Sequence, residues 1–243
     1  MTSITFTERG TCRTSLLLHG GGDPQTVSAF ADLLAQAAGA RVITPVHPGF
    51  SGTERPAELD SARALARAYR DLLDELELEN VTVVGNSLGG WVAAELAILG
   101  SPRIDRVTLV DAVGIEITGS PSVDFFTLEL PQIADYSYYE PDRFRIDPAT
   151  LAPAALAAMP GNRAALAVYG GKGMSDPTLE ARLAAVTVPT LVVWGEADRI
   201  ADVDHGRAFA TAIPGARFEL MTRTGHLPQV ETPERLAEVI LGF

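Results

Sequence analysis

The chain has 243 residues, of which 47% are hydrophobic and 21% charged, and 31 acidic against 19 basic side chains leave a formal net charge of −12. Such a composition buries a large core and excludes a largely disordered chain, while the acidic balance offers no basic footprint for nucleic acid or an anionic membrane. No apolar run reaches the ~20 residues of a membrane helix, Glu8, Arg9 and Arg13 break the segment where a signal-peptide core would stand, and the single cysteine, Cys12, permits neither an internal disulfide nor a zinc cluster. A cytoplasmic protein with a small-molecule substrate, and with neither nucleic acid nor membrane as partner, is the expectation.

Short runs rich in Val, Ile and Leu alternate with longer stretches of helical periodicity, which predicts an α/β fold with a mostly parallel sheet covered by helices on both faces. In chain order, residues 4–7 read as an antiparallel edge strand. Residues 15–18, 41–45, 81–85, 106–110, 189–194 and 217–221 read as buried strands. Between residues 59 and 76 the apolar residues Leu59, Ala62, Leu65, Ala66, Tyr69, Leu72, Leu73 and Leu76 recur at three- and four-residue steps, one face of a helix. The last helix is predicted to start with Thr232 as N-cap and Pro233 in its first turn, burying Leu236, Val239 and Ile240.

The alternation stops after Ile117 and resumes near Pro189. Residues 116–185 therefore read as a helical insertion over a core made of residues 1–115 and 186–243. Asp147-Pro148 and Asp176-Pro177 look like helix starts, and Pro160 is expected to interrupt an Ala-rich stretch. The insertion holds Phe125, Phe126, Tyr136, Tyr138, Tyr139, Phe144 and Tyr169, seven of the 16 aromatic residues. Such crowding points to an apolar pocket beneath it; the alternative is that the rings fasten the insertion to the sheet. Its cations, Arg143, Arg145, Arg163, Lys172 and Arg182, are scattered, so an apolar substrate is expected rather than a polyanion.

The segment with most chemistry is Val81-Thr82-Val83-Val84-Gly85-Asn86-Ser87-Leu88-Gly89-Gly90, a strand entering a helix through Gly-x-Ser-x-Gly. A serine at such a turn is raised out of the sheet on a strained backbone, and side chains at Gly85 or Gly89 would collide with the turn. Ser87 is the candidate nucleophile, and its weak hydroxyl needs a base and a group to orient that base. Asp198 follows the strand at 189–194 and His226 the strand at 217–221. Loops at the carboxyl ends of parallel strands share one rim, so the three can converge. Asp111, at the end of the 106–110 strand, is the alternative acid. Two backbone donors, the N–H groups of Leu88 and of Gly21 in His19-Gly20-Gly21-Gly22, are placed to hold an oxyanion. A dinucleotide loop is discounted there, because Gln25 stands where the last glycine of Gly-x-Gly-x-x-Gly belongs. His19 reads as a structural residue shaping this loop, His47 as a turn residue and His205 as a helix-start residue. No metal-ligand spacing occurs among the histidines, and no cofactor is implied.

With these motifs in place the sequence resembles an α/β-hydrolase with a helical cap. The likeness spans nearly the whole chain through His19-Gly20-Gly21-Gly22, Pro48-Gly49-Phe50-Ser51-Gly52, Gly85-Asn86-Ser87-Leu88-Gly89-Gly90, Trp194-Gly195-Glu196-Ala197-Asp198-Arg199 and Gly225-His226. It implies the α/β-hydrolase fold and a Ser87, Asp198, His226 triad; with so few residues ahead of His19, the first strand of the usual sheet is expected to be missing. Gly85-Asn86-Ser87 and Asp204-His205-Gly206 also resemble hydrolases that cleave carbon–carbon bonds in meta-cleavage products. Those have Trp after the histidine where this chain has Leu227, and an Arg where this chain has Ala155, with Arg163 as a substitute. The reading is thus a serine esterase for small apolar or aromatic esters, with C–C hydrolysis or a non-catalytic receptor as alternatives. Gly22, Asn86, Phe125, Phe126, Tyr139 and Leu227 are the expected pocket residues.

Overall fold

The computed structural model describes residues 4–117, 119 and 122–243; residues 1–3, 118, 120 and 121 and the Lys172 side chain stand outside it. Seven strands form one sheet: β1 (Phe6–Arg9), β2 (Thr14–Leu18), β3 (Arg41–Pro45), β4 (Val81–Asn86), β5 (Ile104–Val110), β6 (Thr190–Gly195) and β7 (Arg217–Met221). Their order is β1-β3-β2-β4-β5-β6-β7. β1 runs antiparallel to β3, pairing Phe6 with Pro45 and Arg9 with Val42, and every other neighbouring pair is parallel. The edge strand therefore lies two residues beyond the predicted 4–7, whereas β3 and β7 match their predicted bounds.

Ten helices complete the described chain: α1 (Gln25–Ala38), α2 (Ala62–Glu75), α3 (Leu88–Leu99), α4 (Leu130–Ser137), α5 (Pro141–Phe144), α6 (Pro153–Gly170), α7 (Leu179–Leu183), α8 (Val203–Ala212), α9 (Pro228–Glu231) and α10 (Pro233–Leu241). The central strands β2 to β6 bury most of both faces, which is why they read as continuous apolar runs. Leu17, Val42, Val84, Val110 and Val193 meet Val27, Phe30 and Leu34 of α1 and Leu236 and Ile240 of α10. On the opposite face Leu16, Ile43, Val83, Leu109 and Val192 pack with α2, α3 and α8. Each such fully buried side chain contributes ~1.5–3 kcal/mol relative to exposure.

Local signals explain where the boundaries moved. α2 begins at Ala62 rather than Leu59 because the Ser61 hydroxyl accepts from the Ala64 N–H, a capping interaction that fixes the start. In α10 Thr232 holds the N-cap position without a side-chain capping bond, its hydroxyl instead meeting that of Thr224 at 3.2 Å. Ala237 is buried there and Val239 only half-buried.

Between β5 and β6 the described residues add no strand to the sheet, only a parallel bridge from Gly114 to Ser175. Three expectations for this segment change. Pro160 lies inside α6 and does not end it. The first turns of that helix are exposed, Leu156 by 48%, so water can satisfy the carbonyl that the missing Pro160 N–H leaves open. Asp147 caps only a single 3-10 turn, Pro148–Thr150. Asp176 accepts from the N–H and hydroxyl of Thr178, and α7 starts one residue later, not at Pro177.

Candidate active site

Ser87 stands between β4 and α3 with φ 56° and ψ −118°, a conformation that costs a non-glycine residue ~1–3 kcal/mol. The glycines around it are required by contact: a Cβ on Gly85 would lie 2.1 Å from the Gly89 oxygen, and one on Gly89 2.3 Å from the Leu18 oxygen. The turn is thus pressed onto the end of β2. Parallel pairing of Gly85 with Leu18 and of Asn86 with Val110 sets its height in the sheet.

Asp198 follows β6. Its Oδ1 accepts from the N–H groups of Ile200 and Ala201 at 2.8 and 3.1 Å, which turns Oδ2 toward His226 Nδ1 at 2.8 Å. Because a carboxylate only accepts, Nδ1 carries the hydrogen and Nε2 is left as the acceptor of the ring. The backbone of His226 is held on both sides: its N–H donates to Ser137 of α4 at 2.7 Å, and its oxygen accepts from Asn86 Nδ2 at 3.0 Å. Gln229, which the sequence reading passed over, donates to Asn86 Oδ1 at 3.0 Å and completes this brace. Its place three residues after the histidine was the available signal.

Asp111 is fully buried with φ 44°; its Oδ1 accepts from the Gly195 N–H at 2.7 Å and its Oδ2 finds no hydrogen-bond partner. Burial first, and the neighbouring Asp198 second, push its carboxyl well above the ordinary range. Donor atoms of Asp111, Asp198 and His226 lie within 4.8 Å of one another. Within this cluster the Asp198 and His226 atoms are engaged in the hydrogen bonds just described, and Asp111 stands beside them without sharing a bond.

Ser87 and His226 line one cavity of about 80 Å³. Gly20, Gly21 and Gly22 line it together with Phe125, Ile133, Leu166 and Met174 of the segment between β5 and β6. Gly22, Asn86, Phe125 and Leu227 lie in the lining as expected. Phe126 and Tyr139 do not. Phe126 turns its ring edge-on to Phe125 under the Arg163 guanidinium, and Tyr139 is 39% exposed beneath Arg223. Other rings serve packing instead: Tyr138 stacks on Phe144 within the segment at 4.8 Å, and the Tyr169 hydroxyl ties the segment to the core by donating to the Pro48 oxygen at 2.7 Å. Leu166, Met174 and Ile133 escaped the sequence reading because an isolated aliphatic residue in a helix carries no mark of its target.

A larger open groove, about 990 Å³, runs between Ile4, Val46, Glu54, Leu59 and Arg67 near the β1 edge of the sheet. It contains neither Ser87 nor His226, so the smaller cavity is the candidate active site.

The histidines behind the glycine wall are structural. His19 Nδ1 meets the Gly20 oxygen at 2.7 Å, His19 Nε2 accepts from the His47 N–H at 3.1 Å, and His47 Nδ1 reaches the Tyr69 hydroxyl. Burial lowers His19 to about 4 and His47 well below its usual value, so both are neutral. His205 lies at the start of α8, where Nδ1 meets Asp202 at 2.9 Å.

Comparison with known proteins fits this architecture. Residues 16–239 match the model of the alpha/beta hydrolase family. The chain belongs to that family. This hydrolase is 30% identical to an uncharacterized protein of Mycobacterium tuberculosis (strain ATCC 25618 / H37Rv) over 94% of its own length and 74% of the relative's. It is 29% identical to a 2-hydroxymuconate semialdehyde hydrolase of Pseudomonas putida, covering 94% of this chain and 86% of that one. Among solved structures, a thermophilic esterase from Thermogutta terrifontis shares the fold with TM-score 0.78 and 24% identity, over 98% of this chain and 92% of that one. Among the described residues no helix of the hydrolase is long and apolar enough to cross a membrane.

Proposed function

We propose that the hydrolase cleaves small neutral esters through an acyl-enzyme on Ser87, with the segment between β5 and β6 as a cap over the site. The observation that carries this reading is the His226–Asp198 pair at the wall of a cavity that also takes in Ser87. Ser87 Oγ attacks the ester carbon while His226 Nε2 takes its proton, and the N–H groups of Gly21 and Leu88 hold the oxyanion. Collapse breaks the ester C–O bond, with the proton passing from His226 to the leaving alkoxide. Water, deprotonated by His226, then attacks the acyl-enzyme, and collapse releases the acid and returns the proton to Ser87.

Two features support a small neutral acyl group. The cavity, about 80 Å³, is well below the ~300–1,000 Å³ of pockets for drug-sized ligands. Among the described residues no Lys or Arg lines it. C–C hydrolysis is the second reading, supported by the likeness to the Pseudomonas putida hydrolase. Against it, Arg163, the available cation for a dienoate carboxylate, donates to the backbone oxygens of Phe125, Phe126 and Leu128 instead. The test is a panel of acetyl, butyryl and aryl esters and a ring-fission dienoate, run on wild type and Ser87→Ala, together with fluorophosphonate labelling. Ser87-dependent turnover with the short neutral esters fastest is expected. Dienoate turnover above every ester would promote the second reading.

A further inference from the structure

One face of α6 meets both glycine-containing loops beside Ser87. Residues 162, 165, 166 and 169 recur at helical spacing and so share that face. Leu166 covers Gly21, where an added Cβ would come within 2.6 Å of Leu166 Cδ2. Ala165 sits against Gly49, and the Tyr169 hydroxyl bonds the Pro48 oxygen. Asn162, 93% buried, uses both ends of its amide: Oδ1 accepts from the Ser51 N–H at 2.8 Å, and Nδ2 donates to Asp23 Oδ2 at 3.1 Å. The same Asp23 oxygen accepts from the Ser51 hydroxyl at 2.6 Å, while Asp23 Oδ1 accepts from the Gln25 N–H at 2.9 Å. Asp23 and Ser51 both hold positive φ, 85° and 51°, so neither turn rests in its preferred conformation without such partners.

An oxyanion donor works only if it is fixed before the charge develops. Residues 20–22 are three successive glycines, the backbone least able to hold itself. At one end this turn is anchored by the contact of Gly20 with Ser87 and by the His19–Gly20 interaction. At the other end the anchor is Asp23. We propose that Asn162 is a positioning residue for hydrolysis, holding Asp23 and Ser51 together so that the Gly21 N–H stays aimed at the oxyanion. The inference rests on the reading above in which Gly21 supplies that donor.

The test uses the full-length protein, a p-nitrophenyl acetate assay, fluorophosphonate labelling and thermal unfolding. Removing a donor outright costs about 10²–10³ in kcat, so a loosened one is expected to cost about ten-fold. Asn162→Ala should lower kcat and the labelling rate together by that factor, with KM changed by less than about two-fold. Asn162→Asp should lose more, because a second carboxylate then faces Asp23 Oδ2. Asp23→Asn combined with Asn162→Asp exchanges the amide and the carboxylate, and should return kcat to within about three-fold of wild type. A purely structural role would move the unfolding temperature and leave kcat of the folded enzyme unchanged. That result, or a double variant no faster than Asn162→Asp, overturns the inference while Ser87 labelling of the wild type keeps the hydrolase reading intact. Failure of wild-type Ser87 to be labelled overturns both.

Discussion

The loops at the carboxyl ends of the strands and the segment between β5 and β6 both line one cavity, by different means. The loops are fixed by backbone contact: the glycines of the Ser87 turn touch main chain at distances no side chain tolerates, and Asp198 and His226 are buried. The segment meets the core at a few main-chain bonds, His226 N–H to Ser137 and Val123 N–H to Ile200 among them, and otherwise through side chains, Asn162, Tyr169 and the bidentate Arg182–Glu95 pair at 2.6 and 2.7 Å, while Ile146 and Leu156 are 55% and 48% exposed. Glu231 is the corresponding link on the other side, accepting from the N–H groups of Tyr139 and Glu140 and from that of Gly225 beside His226. Under the proposed function the difference separates two tasks: chemistry would sit where main-chain sterics leave little freedom, and substrate choice where single side chains can be exchanged.

The largest effect expected from this division is at Ser87. Ser87→Ala should abolish labelling and lower ester turnover by about 10⁴–10⁶, with the fold retained in circular dichroism. Ser87→Gly should be equally inactive yet more stable, by ~1–3 kcal/mol, because glycine accepts the φ of 56° without strain. Residual turnover near the wild-type level in either variant would put the chemistry elsewhere.

The two buried carboxyls offer the next contrast. Asp198→Asn should cost about 10⁴ in kcat, since an amide favours the wrong imidazole tautomer. Asp111→Asn should cost less than about ten-fold, because the amide oxygen can still accept from the Gly195 N–H and the buried site, which raises the carboxyl's pKa, already disfavours a charge there. In the unfolded chain Asp111 ionises near its ordinary value, so the native state loses stability as pH rises above it, and Asp111→Asn should be more stable than wild type at pH 7. Equal kinetic losses at the two positions would mean that the acid is shared between them.

This contrast also marks how far the sequence could be read. Ser87, Asp198 and His226 were legible because each sits at a strand end beside a glycine or turn signal, and the parallel sheet brings such ends to one rim. The central strands were legible for the same reason, as apolar runs buried on most of both faces. Within the inserted segment the aromatic count pointed to a pocket, yet of Phe125, Phe126 and Tyr139 only Phe125 lines it. Ring type gives no direction, and direction there depends on Arg163, Arg223 and α6, residues distant in sequence. Asn162 was invisible for a related reason, and Gln229 was marked only by its nearness to His226: a buried amide is identified by its partners, and Asp23 and Asn86 lie more than a hundred residues earlier.

Acid should weaken the loop wall selectively. His19 is neutral when folded, with its value lowered by burial from 6.5 to about 4. The unfolded chain therefore binds the extra proton first, so stability is retained above about pH 6.5 and lost as pH falls toward 4. The loss is about 3 kcal/mol for His19 alone, and His47 acts in the same direction. Because Asp111 opposes this trend, the cleaner measurement is urea unfolding of Asp111→Asn at pH 6.5 and 4. A flat profile would mean that these histidines are solvated. The exposed Arg143–Glu140 pair should matter little, at most ~1 kcal/mol at either pH.

The smallest kinetic effect expected concerns the part of the cavity lined by the segment between β5 and β6. Phe125 lines the cavity and Tyr139 does not, although both are aromatic and belong to the same segment. Phe125→Ala should move the ratio of kcat/KM between a butyryl or aryl ester and an acetyl ester by ~1–3 kcal/mol in favour of the larger substrate, the usual worth of an apolar pocket contact. Tyr139→Ala removes only a surface ring beneath Arg223 and should leave that ratio unchanged within error. Competition between the two esters in one reaction measures the ratio directly. An equal shift from Tyr139→Ala would show that the segment acts on selectivity through its overall packing, and that the division between a fixed loop wall and an exchangeable one is too sharp.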